Sequence, residues 1–219
     1  MIVTTCSQVV IFDFDGTIID SNHAKEKAFA EILAGLGVSE REAGAIRKES
    51  AHLDRFSFFE QFYREFKIRL PADASALRLA QKFSTLCHQK LLQCELVPGI
   101  KPFLEKLQQN NFRLYVSSAT PEQNLVPLLS ELKITQYFSG VYGGPSKKLV
   151  HIKKIQGDND CAPRDITYIG DSDDDYAAAM QAGCNFVGVA IDPERFSNIP
   201  NIRIDNFLDK RLLGIFRKI

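Results

Sequence analysis

Residues Val9 to Asp20, VVIFDFDGTIID, constrain the fold of this chain more than any other stretch: a β-branched, continuously apolar run breaks off at two carboxylates with one aromatic between them. Such a run reads as a strand buried on both faces, as in a parallel sheet covered by helices. Asp13 and Asp15 then fall at its carboxyl end, where open α/β sheets bind their ligands. Side chains two apart in an extended chain point the same way, so the two acids either share one face or divide the strand end and the turn after it. Like charges held that close repel unless a cation or a shared proton compensates. The segment by itself therefore proposes a hard-metal site, against the competing reading of two acids that merely cap an Asp-Gly turn.

At 219 residues, 45% hydrophobic and 25% charged, the chain has room for one large domain or two small ones around a substantial core. Lysine plus arginine balances aspartate plus glutamate, so no global basic field recommends nucleic acid or an anionic membrane as a partner. The five cysteines, Cys6, Cys87, Cys94, Cys161 and Cys184, are odd in number and contain no CxxC pair. That argues against a disulfide framework or zinc site and for small core residues in a reducing compartment. The N-terminus lacks a basic leader region, and no segment approaches the length of a membrane span. The expectation is a cytoplasmic protein.

The grammar of the chain changes twice. Residues 20–95 hold no β-branched run, only helical periodicity: Phe29, Ile32, Leu33 and Leu36, then Phe59, Phe62, Tyr63 and Phe66. Ser39 with Glu42 and Ser57 with Glu60 have capping-box spacing. The aromatic stripe reads as the core of a helical insert. Beyond Leu96-Val97-Pro98-Gly99, helices and strands alternate. Helices are expected at 102–109, 148–155 and 174–182, the last closed by Gly183, and strands at 112–116, 140–142, 166–169 and 186–189. Thr120-Pro121-Glu122-Gln123 reads as a helix start with Thr120 as N-cap. The predicted architecture is a three-layer, Rossmann-like α/β core with a mostly parallel sheet, built from residues 1–19 and 96–219, interrupted by an all-α cap at 20–95. A lid inserted directly behind the acid-bearing strand would sit above the site. The C-terminal apolar residues from Phe207 to Ile219 recur at helical intervals and could dock on the core or on a partner.

Three later features match what such a site needs. Ser117-Ser118 follows the strand Leu114-Tyr115-Val116 and offers hydroxyl and backbone donors to an anion. Gly143-Gly144-Pro145-Ser146-Lys147-Lys148 delivers two lysines to a helix start, where cations oppose the helix dipole. Gly170-Asp171-Ser172-Asp173-Asp174-Asp175 packs four acids into a strand-to-helix junction. That exceeds what capping needs. Asp171 is the natural third oxygen ligand beside Asp13 and Asp15, and an all-oxygen set suits Mg²⁺ better than zinc or copper.

DFDGT at Asp13 to Thr17, Ser117 after a hydrophobic strand, a lysine before a helix, and GDSDDD at Gly170 to Asp175 followed by AAAMQAG together resemble the four motifs of the haloacid-dehalogenase superfamily, over nearly the whole chain. The insert resembles the α-helical cap of the subgroup that contains phosphoglycolate phosphatase and β-phosphoglucomutase. The resemblance implies an Asp13 nucleophile that forms an aspartyl-phosphate, and Asp15 as general acid and then base. It implies Mg²⁺ held by Asp13, the backbone carbonyl of Asp15, and Asp171, with Asp175 in support. Phosphate would be held by Gly16, Thr17, Ser117, Ser118 and a lysine. Lys148 fits the helix register better, with Lys147 as the alternative. Asp173 and Asp174 receive no role.

An acid two residues after the nucleophile is what transfer from an alcohol requires, so the expected activity is Mg-dependent hydrolysis of a small phosphate monoester, phosphoglycolate- or sugar-phosphate-like. A phosphomutase on the same fold is the alternative, and a non-enzymatic phospho-receiver the remoter one. The expected partner is a small phosphorylated metabolite, with no nucleic acid and no membrane. In the insert, Arg47, His52 and Arg55 are candidate substrate contacts.

Overall fold

The computed structural model describes residues 9–50, 53, 55–66, 75–190 and 202–216, with Asn22, His23, Arg55 and Phe66 described by backbone alone. Cys6, His52, Ile219 and the side chain of Arg55 therefore lie outside the described residues. The chain divides into two compact units, residues 1–20 with 95–219 and residues 21–94.

In the first unit, six parallel strands among the described residues run in the order β3-β2-β1-β4-β5-β6. They are β1 (Val9–Phe12), β2 (Arg113–Pro121), β3 (Gly140–Gly144), β4 (Ile166–Gly170), β5 (Asn185–Val189) and β6 (Ile202–Ile204). β1 lies between β2 and β4, with Phe12 level with both Val116 and Ile169. The chain moves outward from β1 through β2 to β3 and then crosses to β4 on the other side of β1, and the crevice outside the carboxyl ends at such a switch point is where doubly wound sheets bind ligands.

The apolar run of β1 is buried throughout because both of its faces are covered. Val9 and Ile11 join Tyr168, Ile152, Ile155 and Ala179, under helices at Lys148–Asn159 and Asp173–Ala182. Phe12, on the opposite face, meets the edges of Phe103 and Phe138 at 6.3 and 6.1 Å between centroids and lies 6.2 Å from Phe207. Alternation along one strand thus supplies two separate cores.

The insert contains α1 (Asn22–Ala34), α2 (Glu40–Glu49), α3 (Arg55–Phe66) and α4 (Ala76–Leu91). Phe29, Phe58, Phe59, Phe62 and Phe83 pack together in its centre, mostly edge-on or tilted, so Phe29, Phe59 and Phe62 of the predicted stripe are core while Tyr63 is half-buried. Ser39 and Glu42 form the expected capping box. The second one does not form, because α3 begins at Arg55 and Ser57 is already inside it. Leu36 falls beyond the end of α1 and is half-buried. Arg47 lies over the Phe29 ring at 4.8 Å and donates to the Ser50 carbonyl, contacts that hold the insert together.

The remaining helices are α5 (Ile100–Gln109), α6 (Glu122–Glu131), α7 (Lys148–Asn159), α8 (Asp173–Ala182) and α9 (Arg211–Ile215). Two readings need correction. β2 runs on to Pro121, which is itself the N-cap of α6, so Thr120 belongs to the strand. Among its described residues the tail is helical only over α9: Phe207 donates its N–H to the Pro98 carbonyl, while Asn206 and Asp209 side chains take the N–H groups of Leu208 and Arg211 in local turns. Phe207, Leu212 and Phe216 are buried nonetheless. Cys87, Cys161 and Cys184 are buried and Cys94 half-buried, as thiols rather than disulfides. Among the described residues no helix is long and apolar enough to cross a membrane.

Phe12→Ala empties a site bounded by three rings. It is expected to lower the unfolding free energy of the α/β unit by about 3–5 kcal/mol, read from denaturant melts.

Candidate active site

β1 stops at Phe12, yet Asp13 stays in line with the sheet because its N–H donates to the Ile169 carbonyl of β4 at 2.8 Å. Asp15 sits in the turn beyond, where the chain folds back to bridge Ile19. The two acids thus divide strand end and turn. Gly16 makes the turn with φ at +73°, a conformation that disfavours a side chain. A Cβ at Gly16 would also collide with the carboxylate of Asp171. Glycine there therefore lets the first and last acidic motifs approach.

Asp13, Asp171 and Asp175 each bring a carboxylate oxygen within 4.8 Å of the others, all three buried. Asp171 follows β4 directly, and Asp175 occupies the first turn of α8. Asp175 also closes a capping box, accepting from the backbone N–H of Ser172 at 3.1 Å and from its hydroxyl. Lys148, the first residue of α7, places Nζ 3.2 Å from Asp13 Oδ1 and 2.6 Å from Asp175 Oδ1. Lys147 is the exposed N-cap of the same helix. Asp173 and Asp174 face solvent, where they offset the dipole of α8. The side chain of Asp15 stands outside the three-acid cluster, half-buried, with Oδ2 accepting from the Thr120 hydroxyl at 2.9 Å.

Burial pushes the Asp13 carboxyl well above its ordinary range, Asp175 pushes it further, and Lys148 opposes both. Burial also acts against the Lys148 ammonium, but Asp13 and Asp175 outweigh it and hold the amine charged. Three buried carboxylates within one oxygen-lined space repel unless positive charge lies among them. The donor set is all oxygen, which fits a hard divalent cation of the Mg²⁺ or Ca²⁺ kind.

Ser117 and Ser118 are buried at the end of the regular part of β2. The Ser117 hydroxyl lies 2.9 Å from Nδ1 of His151, one turn beyond Lys148 on the same face of α7, and its carbonyl accepts from the Tyr168 hydroxyl at 3.1 Å. The Ser118 hydroxyl accepts from the N–H of Thr120 at 3.0 Å. Thr17 Oγ1 is buried with no hydrogen-bond partner among the described residues, an unmade bond worth about 1–3 kcal/mol that a ligand or ordered water would recover. His151, Tyr168 and Thr120 were not foreseen as site residues. The spacing of Lys148 and His151, three residues apart on one helix, is a usable signal for the first, and a phenol in a buried strand needs a partner. Thr120 leaves no such trace.

Burial lowers the pKa of His151 from its ordinary 6.5, against the Gly143 backbone and Glu122, and Lys148 lowers it further. Below that value the unfolded chain takes up a proton that the folded chain resists. The stability tied to a neutral His151 is therefore complete above about pH 6.5 and lost as the pH falls toward the folded-state pKa. Between about pH 7.5 and 5.5, thermal melts should show a steeper decline for the native chain than for His151→Asn, whose residue 151 does not titrate.

The chain matches the family model of haloacid dehalogenase-like hydrolases over residues 10–189. It is 26% identical over 221 residues to phosphoglycolate phosphatase 1 of Pseudomonas aeruginosa, covering 94% of this chain and 79% of that one. A predicted phosphoglycolate phosphatase from Haemophilus somnus superposes with a TM-score of 0.77 at 20% identity, over 97% of this chain and 99% of that one. A hydrolase of the same family from Bacillus subtilis, solved bound to magnesium, gives 0.73 at 17% identity over 96% and 99%. With a hydrolase family spanning both acidic motifs, the phospho-receiver alternative falls away. The chain belongs to the haloacid dehalogenase-like hydrolases, on the phosphatase side of that family.

Proposed function

We propose that this protein is a Mg²⁺-dependent phosphatase that hydrolyses a small phosphate monoester, phosphoglycolate- or sugar-phosphate-like, through a phosphoryl group carried on Asp13. The observation that carries the reading is the Lys148 ammonium, 3.2 Å from Asp13 Oδ1 and 2.6 Å from Asp175 Oδ1, beside a cluster of three acids within 4.8 Å. Acids crowded against one lysine at a strand end are suited to receiving a group that is itself anionic and a cation that neutralises it. The similarity to phosphoglycolate phosphatases over most of the chain supports the substrate class.

In this scheme an oxygen of Asp13 attacks phosphorus, and the bond to the ester oxygen breaks. That oxygen keeps the bonding pair and takes the proton of Asp15. Asp15, now a carboxylate, withdraws a proton from water as the water oxygen attacks phosphorus, and the bond to Asp13 breaks to restore its carboxylate. Lys148 offsets charge on the phosphoryl oxygens throughout. Ser117, Ser118, Gly16 and Thr17 supply hydroxyl and backbone donors to the phosphate. Asp13, the backbone carbonyl of Asp15, and Asp171, with Asp175 in support, would hold Mg²⁺, which when bound lends Lewis-acid stabilisation to the phosphoryl oxygens. Dividing one displacement into two easier ones is how such sites approach the very large accelerations that phosphate-monoester hydrolysis needs, up to ~10²¹.

The test is release of inorganic phosphate from a panel of small phosphate esters with added Mg²⁺. Sustained turnover is expected, and Asp13→Asn should lower it on the order of 10³-fold or more while the circular dichroism spectrum is unchanged. Turnover that survives Asp13→Asn would remove the reading.

A further inference from the structure

β2 does not end cleanly. Its pairing with β3 is regular from Tyr115 to Ser117 and resumes only at Pro121 with Gly144, so the register shifts across residues 118–120. An irregularity of this kind re-aims the side chains it carries. The Thr120 hydroxyl points back across the sheet end to Asp15 Oδ2, 2.9 Å away, although the two residues are 105 positions apart in the chain.

The irregular segment is held from both sides. Within it, the buried Ser118 hydroxyl accepts the Thr120 N–H at 3.0 Å. Against it lie two glycines of β3. A Cβ at Gly143 would stand 2.7 Å from the Thr120 carbonyl oxygen, and one at Gly144 would stand 2.7 Å from that of Ala119. Only residues without a side chain allow that approach, so the backbone under Thr120 is set by packing rather than by the threonine itself.

We propose that Thr120 is a positioning residue for Asp15, its hydroxyl at Oδ2 restricting the rotation of the carboxyl so that the proton of Asp15 is offered toward the oxygen of the departing alcohol. The inference rests on the reading of Asp15 as the acid and goes beyond it. A hydroxyl donated to Oδ2 limits the rotation of the carboxyl and so the directions in which its proton is offered. A carboxyl free to rotate would spend part of its time aiming that proton elsewhere, and small errors of aim are costly in proton transfer. The hydroxyl acts through Asp15 and touches no substrate.

The experiment compares two esters by kcat/KM, which reports only the half-reaction up to loss of the alcohol. An aryl ester such as p-nitrophenyl phosphate leaves without a proton; a simple alkyl phosphate ester accepted by the enzyme does not. Thr120→Val, which keeps the shape and removes the hydroxyl, should lower kcat/KM for the alkyl ester by about 10-fold to 100-fold and for the aryl ester by less than about 3-fold. Thr120→Ser should restore most of the loss. Asp15→Asn is the control. If Asp15→Asn shows no preference between the esters, the assignment of Asp15 as acid fails. If it spares the aryl ester and Thr120→Val lowers both alike, or neither, the positioning role of Thr120 is overturned. Should Thr120→Val not fold, Thr120→Ala under the same comparison decides, with the same outcomes.

Discussion

The ammonium of Lys148 lies between the carboxylates of Asp13 and Asp175, and the rest of the site depends on that placement. Neither acid could be buried so completely without it, because an isolated carboxylate removed from water is strongly disfavoured. Each of the three comes from a different element: the end of β1, the start of α7 and the first turn of α8. Ionic attraction at one point therefore ties together two helices and the central strand. Asp175 adds to this by capping its own helix with the same carboxylate that meets the lysine.

Around that centre, close backbone approach is handled by glycine. Gly16 turns with positive φ and leaves room for Asp171, and Gly170 leaves room for the side chain of Asp175. Gly143 and Gly144 admit the irregular end of β2. The hydroxyl-bearing wall is organised in the same manner, from beneath: Ser117 is gripped through its side chain by His151 and through its carbonyl by Tyr168. The chain departs for the helical insert from Asp20 and returns at Glu95, which pair N–H to carbonyl at 3.0 Å, just beyond the turn that carries Asp15.

Much of this was legible in the sequence. The β1 run announced a strand covered on both faces, and acids at a strand end and at a strand-to-helix junction announced where Asp13, Asp171 and Asp175 gather. Helix register favoured Lys148 over Lys147 and left the second open; in the structure Lys148 is the one that meets Asp13 and Asp175, while Lys147 is the exposed N-cap of α7. What was hidden depended on non-local geometry. Thr120 followed by Pro121 has the local pattern of a helix start, but its hydroxyl is drawn to Asp15, a partner no local pattern reveals. Ser57 has capping spacing inside a helix that starts two residues earlier, where the aromatic residues of α3 already pack. The last apolar residues repeat helically, yet Phe207 is anchored to the Pro98 carbonyl, and side-chain-capped turns replace the first part of the expected helix.

The central claim is that Asp13 itself takes the phosphoryl group. Rapid acid quenching during the first turnover, followed by peptide mapping, addresses it directly. The expected result is one phosphoryl group on the peptide that carries Asp13, labile to hydroxylamine, formed at least as fast as the alcohol is released. A burst of alcohol accompanied by an equal burst of inorganic phosphate with no phosphorylated peptide, or a phosphoryl group on another side chain, would contradict it.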